Sequence, residues 1–439
     1  MNKENKDGDT FLIIKCVNIN KNIIDYFIRH GVVVNKKTLD YLIENEGFDN
    51  GDTIDYYLIE HGVDFDIDTI NNLIERKMND NKNTIKYLIE HGADINKKNY
   101  SGKSLLHILF EKGKYVTAKH LIEYGADINT KDKHGDTLLM KECQNGNEFI
   151  IRYLIFHDAD VNVENEDSNT PLIMACKYCN ENTVKYLIEQ GANVNKENKN
   201  SDTPLMKACE RNNQNIVKYL IENGADINKE NINGDTPLMQ ACNYKMINEN
   251  IIKYMIENGA DVNKGNKKGD TPLMQACLKN NENIVIYLIE HGADVNKTNK
   301  DGDTPLMKAC INDDMKIEKY IMECELDIKS VKSNLFSMER YIKRKSKYNN
   351  KHLIKEYIKE KENIIKYLVE HGADVNKENE YGNTPLIIAC GYDNEIIVKR
   401  LIEYGANVNK ENKNGNTPLI VACVNEYEND TEYLHNFKR

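Results

Sequence analysis

The chain has 439 residues, of which 40% are hydrophobic and 29% are charged, and its formal net charge is −11. This hydrophobic fraction is enough to form a buried core, which excludes wholesale disorder. The acidic balance argues against non-specific binding to nucleic acid or anionic membranes. No apolar run approaches the roughly 18 to 20 residues that a membrane span needs, and the polar residues 1–9 do not resemble a signal or transit peptide. We therefore expect a cytoplasmic protein that has no membrane partner.

One segment recurs along the chain and sets its period. It reads Tyr-Leu-Ile-Glu-x-Gly-Ala-Asp/Asn-Ile/Val-Asn, and through most of the sequence it returns every 33 residues. Asp158 and Glu325 replace the glycine in two units, and 47 residues separate Glu325 from Gly372. Self-similarity at a fixed period of this length predicts an array of small repeated units. The marker glycines are Gly31, Gly62, Gly92, Gly125, Gly191, Gly224, Gly259, Gly292, Gly372 and Gly405.

A second landmark, Thr-Pro-Leu, lies 21 residues before the glycine in regular units. Threonine is a good helix N-cap, and proline suits the first helical position because no amide donor is needed there. An Ala-Cys pair such as Ala208-Cys209 gives this first helix a small apolar face. A second, amphipathic helix such as 215–223 ends at its marker, Gly224. All seven prolines occupy the landmark: Pro171, Pro204, Pro237, Pro272, Pro305, Pro385 and Pro418.

This unit, with Thr-Pro-Leu near its start and Gly-Ala-Asp-Val-Asn at its end, resembles the ankyrin repeat. The resemblance covers nearly the whole chain and implies an all-α ankyrin-repeat solenoid of about 12 to 13 units, each with a turn and two antiparallel helices. We expect a single domain over residues 1–439, with irregular repeats in 36–96, a basic insertion at 329–351 and a cap repeat at 412–439. The family usually has histidine after Thr-Pro-Leu, but only His107 keeps that residue type. Apolar contact is therefore expected to replace a polar link between repeats.

The residues that could carry chemistry have simpler structural interpretations. Most of the 11 cysteines recur at one core position, which predicts small buried apolar side chains. The Cys176–Cys179 pair lacks a second pair with zinc-ligand spacing. Six histidines precede the marker, where the helix dipole favours a cation. The sequence shows neither a nucleophile with its base nor a phosphate-binding glycine loop, so we expect no enzyme activity, catalytic residue, metal or cofactor.

The resemblance implies a concave face, formed by the turn tips and the exposed side of each first helix, that contacts partners. The positions before Thr-Pro-Leu are acidic in the middle units, and those after Ala-Cys include tyrosine and arginine, which often anchor interfaces. Ordinary solvent-exposed residues are an equally weighted alternative. We define the acidic row as Asp202, Asp235, Asp270 and Asp303. The candidate anchors after Ala-Cys are Tyr178, Arg211, Tyr244 and Tyr392.

The insertion 329–351 is strongly basic within an acidic protein, and Lys343, Arg344 and Lys345 form one of its clusters. Such a segment could hold an acidic partner or nucleic acid, or direct nuclear import. The stronger interpretation is a tolerated surface insertion, since arrays accept insertions in their loops.

These features predict a protein–protein interaction scaffold or binding module that acts without catalysis. We expect a monomer that binds unidentified protein partners in the cytoplasm, or in the nucleus if the insertion directs import. One alternative is a substrate adaptor for a ubiquitin ligase. Another is nucleic-acid association through residues 329–351, which the net charge does not favour. A purely structural array is a third, and the resemblance also makes the marker asparagines, such as Asn228, candidates for hydroxylation.

Overall fold

The computed structural model describes residues 93–243, 248–311, 350–392 and 394–424, together with 85–86 and 89–90. Several predicted features lie outside the described residues: most of 36–96, Tyr244, the cluster Lys343, Arg344 and Lys345, and the expected cap beyond residue 424. The chain divides into two compact units, Met1–Met174 and Ala175–Arg439.

In its described residues, the first unit contains two helix pairs that follow the predicted order. They are α1 (Leu105–Glu111) with α2 (Tyr115–Glu123), and α3 (Leu138–Asn145) with α4 (Glu148–Phe156). The next helix, α5 (Pro171–Lys177), spans the boundary between the two units.

The second unit continues the same alternation of first and second helices. Its helices in the described residues include α6 (Glu181–Glu189), α7 (Pro204–Glu210), α8 (Gln214–Glu222), α9 (Pro237–Cys242), α10 (Glu249–Glu257), α11 (Pro272–Leu278), α12 (Glu282–Glu290), α13 (Pro305–Cys310), α14 (Asn350–Glu370), α15 (Pro385–Gly391) and α16 (Glu395–Glu403). The described ranges contain no strand beyond an isolated bridge between Lys98 and Ser104, which confirms the all-α prediction. In these same ranges no helix combines the length and the apolar character that crossing a bilayer requires.

Local capping explains where the helices begin and end. Thr203 Oγ1 accepts a hydrogen bond from the Met206 N–H (3.3 Å) at the start of α7, and Asn213 Oδ1 accepts one from the Ile216 N–H (3.1 Å) at the start of α8. Such caps contribute about 1 kcal/mol each. Gly224 follows α8 with φ of 84°, a left-handed conformation that glycine adopts without strain.

The hairpins between repeats stack through their backbones. The Ile232 N–H donates to the Asn200 carbonyl (2.9 Å), and the Lys267 N–H donates to the Asn233 carbonyl (2.9 Å). Gly234 has φ of 76°, and a Cβ atom there would lie 2.7 Å from the Lys267 nitrogen. The close approach of the next hairpin therefore favours glycine at this position, although Ser168 and Ser201 occupy it in two repeats with φ of 57° and 55°.

The core lies between the helix layers and is shared by neighbouring repeats. Leu205, Ala208 and Cys209 of α7 are fully buried, as are Val217 and Leu220 of α8. Each large apolar side chain buried in this way contributes roughly 1.5–3 kcal/mol. Because α7 packs on both α8 and α9, one repeat completes the core of the next.

The structure corrects one predicted unit boundary. The marker pattern placed the end of the unit that Thr304 opens at Glu325, but this repeat closes at Gly372. Asn296 Nδ2 donates to the Gly372 carbonyl (2.8 Å), the same contact that neighbouring repeats make through their marker glycines. The second helix that belongs with α13 is therefore α14.

Further contacts support this correction. The Glu380 N–H donates to the Asp301 carbonyl (2.9 Å), and Lys361 Nζ donates to the Ile311 carbonyl (2.9 Å). Residues 312–349 thus separate the two helices of one repeat, and residues 350–351, predicted as part of the insertion, are helical. A local motif search could not detect this because Glu325 lies at the regular spacing, 33 residues after Gly292.

Candidate protein-binding surface

The asparagine that ends each marker segment links its repeat to the next. Asn228 Oδ1 accepts a hydrogen bond from the Asp261 N–H (2.8 Å), and its Nδ2 donates to the Gly259 carbonyl (2.9 Å). With about 0.5–1.5 kcal/mol per bond, these side chains stabilise the stack. The equivalent pairs of bonds are made by Asn129, Asn195, Asn263, Asn296 and Asn376.

The acidic row forms a second ladder between hairpins. Asn231 Oδ1 accepts from the N–H groups of Asn233 and Asp235 (2.9 and 3.0 Å), which closes its own turn. Its Nδ2 donates to Asp202 Oδ1 of the preceding repeat (3.0 Å). The other three aspartates of the row accept the same bond, from Asn266, Asn299 and Asn379 at 2.7–2.8 Å. The row therefore has a structural role that sequence reasoning did not assign to it.

Lysines pair closely with the two ends of the acidic row, and in its middle Asp270 has only a longer contact, from Lys308 Nζ to Asp270 Oδ1 at 3.9 Å. Lys207 Nζ lies 2.8 Å from Asp202 Oδ2, and Lys308 Nζ lies 2.9 Å from Asp303 Oδ2. Burial lowers the pKa of Lys207, but its bonds to Asp202 and Glu210 outweigh this, and the net pKa is raised. Gln240 follows Asp235 at the equivalent position, and Asp235 has no ion pair in the part of the chain that the structure describes.

Three of the four predicted anchors lie in the described residues, and all three are exposed. The exposed fractions are 39% for Tyr178 and 37% for Tyr392, and Arg211 is also exposed. Arg211 lines an open groove of about 350 Å³ together with Cys179 and Glu181. Each anchor follows the end of a first helix, so the three side chains occupy equivalent positions of different repeats.

The sequence analysis missed a buried carboxylate in α3. Glu142 occupies the position that is alanine in most repeats, and only 6% of its surface is exposed. Burial raises its pKa, and a hydrogen bond to Asn145 opposes this shift. The sequence could have indicated this residue, because residues 141–143 are Lys-Glu-Cys, whereas regular units have alanine before the cysteine.

Comparison with known families explains the repeat pattern. A family model described as ankyrin repeats, in three copies, matches residues 39–132, 106–198, 190–266, 238–332 and 354–438. The chain belongs to the ankyrin-repeat family. A search of the curated proteins finds no match. The family assignment agrees with the helix pairs and hairpins described above, and ankyrin repeats are in general protein–protein interaction modules.

This ankyrin array replaces the family's histidine mostly with apolar side chains. His107 is 1% exposed, and its Nδ1 lies 2.9 Å from Ser104 Oγ. Met206, Met239 and Met274 fill the equivalent position in later repeats and are 1–2% exposed. Apolar packing replaces the polar link at these positions, as the sequence predicts.

The cysteines and histidines of the array have structural surroundings. Burial raises the pKa of Cys310 to about 12 and of Cys390 to about 11, so these thiols are protonated at neutral pH. Cys176 is buried whereas Cys179 is exposed. His291 stacks on Tyr287 with 3.9 Å between ring centroids. Within the described ranges, no group of three or more potential ligands is placed to hold a metal ion.

Proposed function

We propose that this ankyrin array is a non-catalytic binding module that holds a protein partner on the exposed ends of its first helices. The observation that carries the proposal is the exposure of Tyr178, Arg211 and Tyr392 at equivalent positions. Ladder and core positions recur almost unchanged, whereas these positions differ between repeats. Tyrosine and arginine supply large contact areas with a polar end, which suits them to anchor an interface.

The middle of the acidic row adds an electrostatic preference to this surface. Asp235 is half-buried and Asp270 has only a distant cation, since Lys308 Nζ lies 3.9 Å from Asp270 Oδ1. A partner segment with basic residues would therefore meet negative potential there, which favours encounter and orientation. All four aspartates also support the stack, so their charge reversal would test stability and binding together.

The test compares partner recovery from native cytosol by the wild-type chain and by a triple variant, Tyr178→Ser, Arg211→Ser and Tyr392→Ser. We expect the variant to lose at least about tenfold in affinity, because anchor residues carry most of the binding free energy. A matched control changes three other exposed residues, Lys185→Ser, Lys399→Ser and Ile402→Ser, and should retain the partner.

Two outcomes would contradict this assignment. If the triple variant recovers the partner as well as its control does, the binding site would instead lie in the insertion, where Lys343, Arg344 and Lys345 are the candidate contacts. A chain lacking residues 333–346 would then lose the partner. Recovery of nothing by the wild-type chain would favour a purely structural array.

We further propose that the protein acts as a cytoplasmic monomer. A substrate adaptor for a ubiquitin ligase would use the same surface and would require an additional recruiting element. Light scattering after size exclusion should give the mass of one chain, and a mass of two chains would overturn the monomer.

A further inference from the structure

The strongest unassigned feature is a cavity of about 550 Å³ in the first unit, between the first helices α1 and α3. Its lining includes His107, Phe110 and Tyr115 from one repeat and Lys141 and Glu142 from the next. The volume lies in the range of about 300–1,000 Å³ that is usual for ligand sites. None of the roles described above accounts for this cavity.

Glu142 is the carboxylate of this cavity that lacks a cation. At the equivalent position Ala175, Ala208, Ala241, Ala276, Ala309 and Ala389 are fully buried. Glu142 therefore stands at a core position, and its oxygens have no ion pair in the described part of the chain. An unpaired buried carboxylate costs stability, which a bound cation would offset.

The other charged groups of the cavity are already paired. Lys141 Nζ lies 2.8 Å from Asp136 Oδ2 and 3.2 Å from Asp132 Oδ2, and Glu111 Oε2 lies 2.7 Å from Lys103 Nζ. These pairs leave the negative charge of Glu142 without a partner inside the cavity.

His107 contributes a buried ring nitrogen to the cavity. Its Nε2 is buried and makes no hydrogen bond in the described part of the chain. Burial lowers the pKa of His107, although the carboxylates of Asp132 and Glu111 and the backbone of Asp136 oppose the shift. The ring is therefore neutral at neutral pH and adds no positive charge beside Glu142.

Two aromatic rings form the apolar part of the lining. Phe110 and Tyr115 meet edge to face, with 5.8 Å between ring centroids. Phe110 is 6% exposed and Tyr115 is 47% exposed, so the pair extends from the interior to the cavity mouth. A long aliphatic stem can lie against such rings while its charged end reaches inward.

We propose that this cavity receives a lysine or arginine side chain of a partner protein, with the cationic end on Glu142 and the stem against Phe110 and Tyr115. The inference deepens the proposed protein-binding function and rests on it, because it names the chemistry of one partner contact. Charge complementarity favours a basic side chain as the occupant. A carboxylate without a cation repels acidic ligands, and neutral ligands cannot form an ion pair with it.

The test uses the full chain and three capped tripeptides, acetyl-Gly-Lys-Gly-amide, its arginine counterpart and a norleucine match without charge. Methyl NMR of 13C-labelled leucines follows binding, with Leu138 in the cavity lining as reporter and Leu288 of the second unit as reference. A peptide that makes one ion pair and one apolar contact is expected to bind with a Kd of about 1–10 mM. The basic peptides should shift Leu138 but not Leu288, and norleucine should bind at least about fivefold more weakly.

Three variants assign the contact. Glu142→Gln keeps the shape and removes the charge, and Glu142→Ala restores the residue of the regular repeats, so each should abolish the preference for basic peptides while the chain stays folded. The control Glu148→Gln removes an exposed carboxylate of α4 that pairs with Arg152, and it should bind like the wild type.

Equal binding of norleucine, unchanged binding by Glu142→Gln, or no Leu138 shift at about 10 mM peptide would each overturn the cavity assignment. None of these outcomes touches the proposed function, which fails if the wild-type chain recovers no partner or if the triple anchor variant recovers the partner as well as its control does. If the partner is recovered equally by the wild type and by Glu142→Gln, the cavity is not part of the interface and the inference is wrong.

Discussion

The repeat formed by α3 and α4 and the repeat formed by α7 and α8 share one backbone arrangement but differ at a core position. Where α7 has Ala208, which is fully buried, α3 has Glu142, which is 6% exposed. The regular repeat of α7 and α8 has a fully buried alanine at this position, whereas the irregular repeat of α3 and α4 has a cavity with a carboxylate in its wall. The array thus tolerates a polar core position when the surrounding ladders and helices are kept.

The second helices of the two repeats differ on their outer faces. In α8, Asn215 Nδ2 donates to Glu181 Oε2 of the preceding repeat (3.0 Å). In α4, Phe149 and Phe156 occupy the positions of Asn215 and Glu222, and their exposed fractions are 80% and 81%. The regular repeats therefore use these positions for polar contact, and the irregular repeat presents apolar surface instead.

The largest expected effect comes from placing glutamate, the residue at position 142 of α3, at the equivalent core position of α7. Ala208→Glu should destabilise the chain by about 3–5 kcal/mol, because it adds both volume and a charge at a position that is fully buried. Urea unfolding followed by circular dichroism measures the change in midpoint. Ala208→Gln separates volume from charge and should cost less; a loss below about 1 kcal/mol for the glutamate variant would show that the regular core is as permissive as α3.

Breaking the hairpin ladder should have a smaller effect. Asn231→Ala removes two bonds that close its own turn and one bond to Asp202, and we expect a loss of about 2–3 kcal/mol. Asn231→Asp is the matched variant, because it can still accept from the turn but cannot donate to Asp202. Because its carboxylate would face that of Asp202, its urea midpoint should lie at or below that of the alanine variant; equal midpoints for alanine and wild type would contradict a ladder role.

The reciprocal core change should stabilise the irregular repeat. Glu142→Ala is expected to add about 1–2 kcal/mol at neutral pH, since it removes a buried carboxylate that lacks a cation. Burial raises the folded-state pKa of Glu142 above its ordinary value of 4.5. The folded state then binds more protons than the unfolded state, so the cost of Glu142 is smallest below pH 4.5 and grows as the pH rises through the raised pKa.

Thermal unfolding of both proteins across this pH range measures the difference. A gap in melting temperature that stays constant from pH 4 to pH 8 would mean that the Glu142 charge does not cause it. Glu142→Gln should show the same loss of pH dependence with a smaller gain at neutral pH, because the amide is still a buried polar group.

The sequence predicted the helix pairs, the caps and the core cysteines because each depends on residues within one repeat. Thr203 with Met206 is such a local contact. The acidic row was predicted as a surface feature, and its role as a ladder was missed because the bond from Asn231 to Asp202 joins residues 29 positions apart in different repeats. The boundary at Glu325 was wrong for the same reason, since only contacts between repeats show that Gly372 closes the unit.

The smallest expected effect concerns the exposed phenylalanines of α4. Phe149→Asn with Phe156→Glu installs the residues of the regular repeats, and we expect a change in stability within about 0.5 kcal/mol, because exposed side chains contribute little to folding. A hydrophobic dye that binds exposed apolar surface should bind the variant less than the wild type. Loss of more than about 1 kcal/mol would show instead that these rings pack on part of the chain. The outer face of α4 would then contribute to folding by apolar packing, whereas the equivalent face of α8 makes a polar contact between repeats.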